Sequence, residues 1–416
     1  MSAAKAKGHY VWIWLPRQTD PTLCGFVRWN GKAADFAYVR SYLANPDAIA
    51  ITPDWTLDKG FQSLFPAEDD ALPGVLADVA PGRWGEYVLG KVLGRKPDAF
   101  EYLLMAKADR TGALEFTAQH NDPPVTENTS MDLQVVARAV ADIEAGKPVD
   151  PQLLAVLQPG PSLGGRRPKA AIQLEGDAWI AKFCSNQDRD WEQPRREAFG
   201  LAMARRVGID VPDFRLVEVD RKPVLLVRRF DRTPDGLRQH VLSARTLMNL
   251  SDRRSLDAGS YPGIAHRLRQ SGESAEVAAS WFDRMVFNVA IGNTDDHALN
   301  HLFGWDGRAL RLMPAFDLEP QIDAGRLRTH QLIIGEAGSA GSLDNVLSAH
   351  AEFGLSRVAA QARIRRIVEP IAGGWKHVAE ELGIASRSVL QDALLPDTIR
   401  PAMAIEPGDD EIGMSL

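Results

Sequence analysis

Apolar residues along this chain follow two spacings. Up to about residue 125 they come in short runs separated by turn residues, and from about residue 131 several stretches follow the helical period. In the first part, Cys24-Gly-Phe-Val-Arg-Trp29 reads as a strand and Asn30-Gly31 after it as a hairpin turn. The apolar run from Val11 to Leu15 stops at Pro16. After the loop Asn121-Asp122-Pro123-Pro124, the residues Leu133, Val136, Val140 and Ile143 share one face, which predicts a helix over 131–145. Thr129 with Asp132 can cap its start, and Gly146 and Pro148 end it.

The second part opens with a Gly- and Pro-containing loop over 159–165. Two strand candidates follow, 170–174 and 179–183, flanking the turn Glu175-Gly176-Asp177. A helix is expected over 194–206, and a strand over 224–227 leads into Arg228-Arg-Phe-Asp-Arg232. The remainder is expected to be mainly helical. Over 275–290 apolar groups (Trp281, Phe282, Met285, Val286, Phe287, Val289) spread nearly all the way round, which marks a buried helix. One hairpin interrupts the helices, with arms at 302–305 and 309–313 and the turn Asp306-Gly307. The acidic segment 407–416 is expected to fray.

A chain of 416 residues is too long for one simple core. The pattern puts a boundary near Asp150-Pro151; the expected division is 1–150, 151–245 and 246–416, an α+β organisation. Apolar residues at 45% and charged residues at 25% are ordinary for a soluble globular protein. A net charge of −7 gives no global field for nucleic acid, so direct DNA contact would need a local patch. Two cysteines, Cys24 and Cys184, make neither a zinc site nor a disulfide framework and fit a reducing compartment. No stretch approaches the ~20 apolar residues of a membrane span, and the first apolar run is too short for a signal-peptide core. A cytoplasmic protein without membrane contact is expected.

The polar run Gly292-Asn-Thr-Asp-Asp-His-Ala-Leu-Asn300 sits at the end of the buried helix, where unpaired charge is costly. The hairpin then leads to Phe316-Asp317-Leu318. Protein kinases use this order: one Asp positions the attacking hydroxyl, and an Asn five residues on and a later Asp hold Mg²⁺ against the phosphates. Mg²⁺ takes hard oxygen ligands and keeps some waters. Asn300 and Asp317 supply such oxygens, and Asp295 stands in the first position. Asp and Asn are also common turn residues, so spacing alone leaves a plain turn open. His297 could be catalytic, could orient Asp295, or could be structural. Asp296 is expected to be solvated or to cap the turn.

Ser162-Leu-Gly-Gly-Arg-Arg-Pro-Lys169 is neither a Walker A loop nor a G-x-G-x-x-G loop. Gly164 and Gly165 would let backbone N–H groups approach phosphate, and Arg166, Arg167 and Lys169 add charge. A solvated loop is the competing reading. Lys182 sits where a phosphate-binding lysine would sit, or is an exposed strand lysine. Glu197 could pair with it, although the pattern slightly favours an ordinary helix-surface glutamate.

Ser162-Leu-Gly-Gly-Arg-Arg-Pro-Lys-Ala170, Trp179-Ile-Ala-Lys-Phe183, Arg229-Phe-Asp-Arg232, Asn293-Thr-Asp-Asp-His-Ala-Leu-Asn300 and Phe316-Asp317 together resemble the HipA family of toxin kinases in order and spacing. Leu72-Pro-Gly-Val-Leu-Ala-Asp78 and Gly82-Arg-Trp-Gly85 resemble that family's first domain. The resemblance implies a bilobal kinase-like α+β fold, with a mixed N-terminal subdomain, a small nucleotide lobe and a largely helical C-terminal lobe. It implies an ATP- and Mg²⁺-dependent serine/threonine kinase, the toxin of a type II toxin–antitoxin system. The implied partners are a HipB-like helix-turn-helix antitoxin, operator DNA mainly through that antitoxin, and a protein substrate such as an aminoacyl-tRNA synthetase.

Residue by residue, the resemblance makes Asp295 the catalytic Asp, with His297 near the nucleotide. Asn300 and Asp317 become the Mg²⁺ ligands. Lys182 becomes the phosphate-binding lysine, beside the loop residues Gly164, Gly165, Arg166 and Lys169. Arg228, Arg229 and Phe230 become the adenine-side segment, and Ser162 an inactivating autophosphorylation site. Phosphate at Ser162 would repel ATP by like charge. Arg228 replaces an acidic residue of the best-known member, so base contacts there are expected through backbone alone. The loop is also more basic than in that member, at Arg166 and Arg167. Two further readings stay open: a catalytically silent co-repressor partner, and a small-molecule kinase.

Overall fold

The computed structural model of this protein describes residues 8–29, 34–63, 72, 74–105, 110–125, 132–150, 153, 157, 167–186, 188, 192–248, 259–321, 328–385, 390 and 394. Its first antiparallel sheet has the order β4-β3-β2-β1-β5, from β1 (Gly8–Trp14), β2 (Pro21–Trp29), β3 (Ala34–Tyr38), β4 (Gln62–Ser63) and β5 (Leu114–Thr117). The apolar run before Pro16 is strand β1, and Val11 and Ile13 are fully buried in it. The expected hairpin after Trp29 is present as the β2–β3 pairing, with Trp29 opposite Ala34; its turn, Asn30-Gly31, lies outside the described residues. Helix α1 (Arg83–Leu93) precedes β5, and helix α2 (Leu133–Glu144) follows it. Helix α2 starts later than the pattern suggested. Asp132 is its cap, accepting a hydrogen bond from the Gln134 N–H at 2.7 Å, while Thr129 lies outside the described residues.

The second sheet, ordered β6-β7-β9-β8, is built from β6 (Lys169–Leu174), β7 (Asp177–Phe183), β8 (Phe214–Val219) and β9 (Lys222–Arg228). Glu175 and Gly176 turn β6 into β7 with positive φ at both positions, 55° and 88°. Primed turns of this kind match the strand twist. Helix α3 (Gln193–Arg206) lies between β7 and β8, one residue longer than expected. The third sheet joins β10 (Val241–Ser243) to the expected hairpin, β11 (Leu302–Trp305) and β12 (Leu310–Leu312). Helices α4 (Tyr261–Gln270), α5 (Ala275–Ile291) and α6 (Arg357–Glu381) complete the second half.

Two apolar clusters hold these pieces together. One runs from Val11, Ile13 and Phe36 through Phe199 of α3 and Trp281 and Phe287 of α5 to Ile364 and Ile367 of α6. The other packs Trp84 and Val88 of α1 and Val136, Val140 and Ile143 of α2 against Ile172, Trp179 and Leu226 of the second sheet. Apolar packing therefore crosses residue 150 in both clusters. Helix α5 is the spine: every residue from Trp281 to Ile291 is buried. Gly292, at φ 68°, ends it in the left-handed conformation that a helix C-terminus uses, and this turns the chain into the polar run. Arg363 and Arg366 of α6 donate to one carboxylate oxygen of Asp283, at 2.7 and 2.5 Å, and fix α6 across α5. Among the described residues no helix is long and apolar enough to cross a membrane. The expected frayed segment 407–416 lies outside the described residues.

Candidate active site

The end of α5 and the β11–β12 hairpin put the polar run beside Asp317. Phe303 faces Leu312 in the hairpin, and the Met313 N–H donates to the Leu302 carbonyl at 3.0 Å, so the chain leaves close to where it entered. Asn293 makes the link explicit: its Nδ2 donates to Asn288 Oδ1 at 3.0 Å and to the Asp317 carbonyl at 3.4 Å. Asn300 Nδ2 donates to the Asp295 carbonyl at 3.0 Å, which fixes the loop internally. The other atom of that amide, Asn300 Oδ1, is buried and has no hydrogen-bond partner. A buried acceptor without a partner needs an explanation, and a cation is one.

Asp317 adopts φ 57°, a left-handed conformation that few non-glycine residues hold. Its Oδ1 accepts from Lys182 Nζ at 2.8 Å, and the same ammonium donates to Glu197 Oε1 at 2.5 Å. Lys182 is thus a paired lysine inside the cleft and not an exposed strand lysine. Glu197 corrects the surface reading: it is 0% exposed, because α3 is packed on both sides. Burial alone would raise the Asp317 pKa, but the Lys182 and Lys169 ammonium groups overcome it and hold the carboxyl well below the usual range. Lys169 stands directly opposite Lys182 across β6–β7 and is itself buried. Burial, helped by the Lys182 charge, lowers its pKa to about 8.

Asp295 is exposed. The protein around it still desolvates its carboxyl and raises its pKa; His297 opposes the rise and Asp317 adds to it. His297 is half-buried, and its Nδ1 has no hydrogen-bond partner. Asp296 corrects the expectation of a solvated or turn-capping group. It is fully buried, accepting from Tyr261 Oη at 2.8 Å and from the Gln331 N–H at 3.2 Å. His330 Nδ1 lies 3.0 Å from Asp296 Oδ2, the oxygen that also accepts from Tyr261. It anchors the polar run to α4 and to the segment after residue 328.

The adenine-side residues divide. The Arg228 guanidinium donates to Asp177 at 2.7 Å, and Arg229 is buried on Asp231, at 2.9 and 2.7 Å. Both guanidinium groups are thus engaged by carboxylates of the chain itself, which leaves the backbone of this segment for a base. Phe230 does reach the site, its ring 5.7 Å from that of Phe316. With Val241, Leu299, Leu302 and Met313 these rings form a separate small apolar cluster beside Asp317. Ser162, Gly164, Gly165 and Arg166 lie outside the described residues. Arg167 is described, and its guanidinium pairs with Asp188.

Glu319 was not anticipated. It is held by Gln193 Nε2 at 3.1 Å and Arg196 Nε at 3.3 Å. Its only local sequence signal was its place two residues after Asp317. Among the described residues no group of three His, Cys, Asp or Glu could hold a metal.

Comparison with known proteins gives three results. A family model described as "HipA-like C-terminal domain" matches residues 161–375. Among curated relatives, "Putative kinase Y4dM" of Sinorhizobium fredii is 29% identical over 236 residues, which is 51% of this chain and 55% of that protein. The chain thus spans little more than half the length of this relative. "Putative kinase Y4mE" of the same organism is 23% identical over 68% of this chain and 71% of its own length. Among solved structures, HipA of Shewanella oneidensis MR-1, from a complex with HipB and operator DNA, superimposes with a TM-score of 0.68 at 17% identity, covering 93% of this chain and 98% of that one. The fold is the α+β, kinase-like one of that protein.

Proposed function

This chain belongs to the family defined by the HipA-like C-terminal domain, and on that premise we propose that it is an ATP- and Mg²⁺-dependent serine/threonine protein kinase. The observation that carries the proposal is the Lys182 ammonium held between Glu197 and Asp317, beside the unpartnered Oδ1 of Asn300. Kinases need a lysine steered by a helix glutamate and an Asp–Asn pair for the metal. Residues 1–150 form the N-terminal domain of the proposal, 151–245 the nucleotide lobe and 246–416 the helical lobe.

Asn300 Oδ1 and the Asp317 carboxylate would hold Mg²⁺, which supplies charge neutralisation along the phosphates when bound. Lys182 and Lys169 place positive charge on the phosphate side, with Gly164, Gly165 and Arg166 in the adjoining loop. Phe230 and Phe316 give the apolar surface a purine ring needs, and the backbone of 228–230 would supply its hydrogen bonds. Asp295, exposed and beside His297, takes the proton of the attacking hydroxyl at its carboxylate. Its raised pKa makes it a better proton acceptor than an ordinary carboxylate.

A toxin role, a HipB-like antitoxin partner with operator DNA bound through it, a substrate such as an aminoacyl-tRNA synthetase, and inactivating phosphorylation of Ser162 belong to the same proposal. The family and the printed title of the Shewanella structure support them. The test is to incubate the full chain with γ-labelled ATP, Mg²⁺ and a cell lysate. Label is expected in phosphoserine or phosphothreonine of a discrete protein. Label confined to small molecules would overturn the protein-kinase assignment.

A further inference from the structure

Three successive residues on the metal side of the cleft are each held by one helix. Asp317 is reached through Lys182, whose ammonium is shared with Glu197 of α3. Glu319 is held by Gln193 and Arg196 of α3, at 3.1 and 3.3 Å. Between them, the Leu318 carbonyl lies against Gly200 so closely that any side chain at 200 would overlap its oxygen. Residues 193, 196, 197 and 200 recur at helical spacing and form one face. Glycine inside a helix is unfavourable relative to alanine, so its place here calls for a reason. The reason is direct contact of helix backbone with loop backbone.

We infer that α3 is a rigid template for the segment 317–319, and that Gly200 is the positioning residue that sets Asp317 in its metal-holding geometry. The left-handed φ of Asp317 fits this account, because a rarely populated conformation persists only when its surroundings over-determine it. Lys182 and Glu197 fix its carboxylate, Gly200 admits the next carbonyl, and Gln193 with Arg196 fixes the carboxylate two residues on. A methyl at 200 would push the Leu318 carbonyl outward and move Asp317 away from Asn300. The effect would fall on metal use before it fell on nucleotide affinity.

The inference rests on the kinase reading and is tested on the full chain. Wild type and Gly200→Ala are compared for ATP binding without Mg²⁺, for kcat, and for the Mg²⁺ concentration at half-maximal rate. Gly200→Ala is expected to bind metal-free ATP within about twofold of wild type, to need more Mg²⁺, and to lose about 10²-fold in kcat, the scale of a misplacement near 1 Å. Should Gly200→Ala fail to fold, Glu319→Gln loosens the same segment, and a raised Mg²⁺ requirement is expected there too. An active wild type with an unchanged kcat and Mg²⁺ response in the folded variants overturns the inference and leaves the kinase reading standing. An inactive wild type overturns both.

Discussion

Asp317→Asn is expected to lower phosphoryl transfer by about 10³-fold with only a modest fall in the melting temperature. Asparagine keeps the shape and tolerates the left-handed backbone that Asp317 adopts at φ 57°, so the substitution isolates charge. The carboxylate has two tasks. It is one of two oxygen ligands proposed for Mg²⁺, and it shares the Lys182 ammonium with Glu197. Loss of a metal clamp on a phosphoryl group removes several kcal/mol of transition-state stabilisation, and each ~1.4 kcal/mol is tenfold in rate. The depressed pKa of Asp317 means that its charge also adds stability at neutral pH, but the group is partly exposed and Lys182 keeps Glu197 as a partner, so the fall should be modest. Steady-state ADP release and a thermal melt separate the two readouts. A large fall in melting temperature with a matching loss of ATP binding would mean that Asp317 is a structural ion-pair residue.

Asp231→Ala is expected to have the largest effect on stability, about 3–5 kcal/mol, because it strips a buried carboxylate from two guanidinium groups. Asp231 accepts from Arg229 at 2.9 and 2.7 Å, from Arg232 at 2.9 Å and from the Gly112 N–H at 2.8 Å. The Arg229 and Arg232 guanidinium groups also donate to the Arg110 carbonyl, so one carboxylate ties the exit of β9 to the segment entering β5. Burial alone would raise its pKa. The two arginines overcome burial and hold it well below the usual carboxylate range. A depressed folded pKa contributes stability that is fully present above the unfolded value of about 3.9 and is lost as pH falls through the folded value. Urea melts should therefore show the full difference between wild type and Asp231→Ala at pH 7 and a shrinking one below about pH 4. A difference under about 1 kcal/mol at pH 7, the scale of a surface pair, would contradict this reading.

Some of this was legible in the sequence and some was not, for physical reasons. Helix α5 declared itself because a helix buried all round carries apolar groups on every face, and its stop at Gly292 is local chemistry. The β6–β7 and β11–β12 hairpins carried glycine in their turns. Strand β8 did not announce itself, because its turn into β9 is Asp220-Arg221, both at positive φ without glycine or asparagine. Glu197 and Asp296 were misjudged for one reason. A charged residue in a polar local pattern looks solvated, and the partners that bury it are remote in sequence: Asp317 beyond Lys182 for one, Tyr261 and Gln331 for the other. The family resemblance assigned Arg229 to the nucleotide, yet its guanidinium serves the network around Asp231. Asp295, Asn300 and Asp317 could be read together because a hairpin, which is local, separates Asn300 from Asp317, and the family resemblance singled out Asp295.

The central claim is that Asp295 drives phosphoryl transfer at a metal held by Asn300 and Asp317. Its most direct measurement is a single-turnover assay with γ-labelled ATP, lysate protein and Mg²⁺, run with wild type, with Asp295→Asn and with EDTA. The expected result is labelled protein with wild type, about 10²–10⁴-fold slower labelling with Asp295→Asn, and none in EDTA. Equal labelling rates for wild type and Asp295→Asn, or transfer that persists in EDTA, would contradict it.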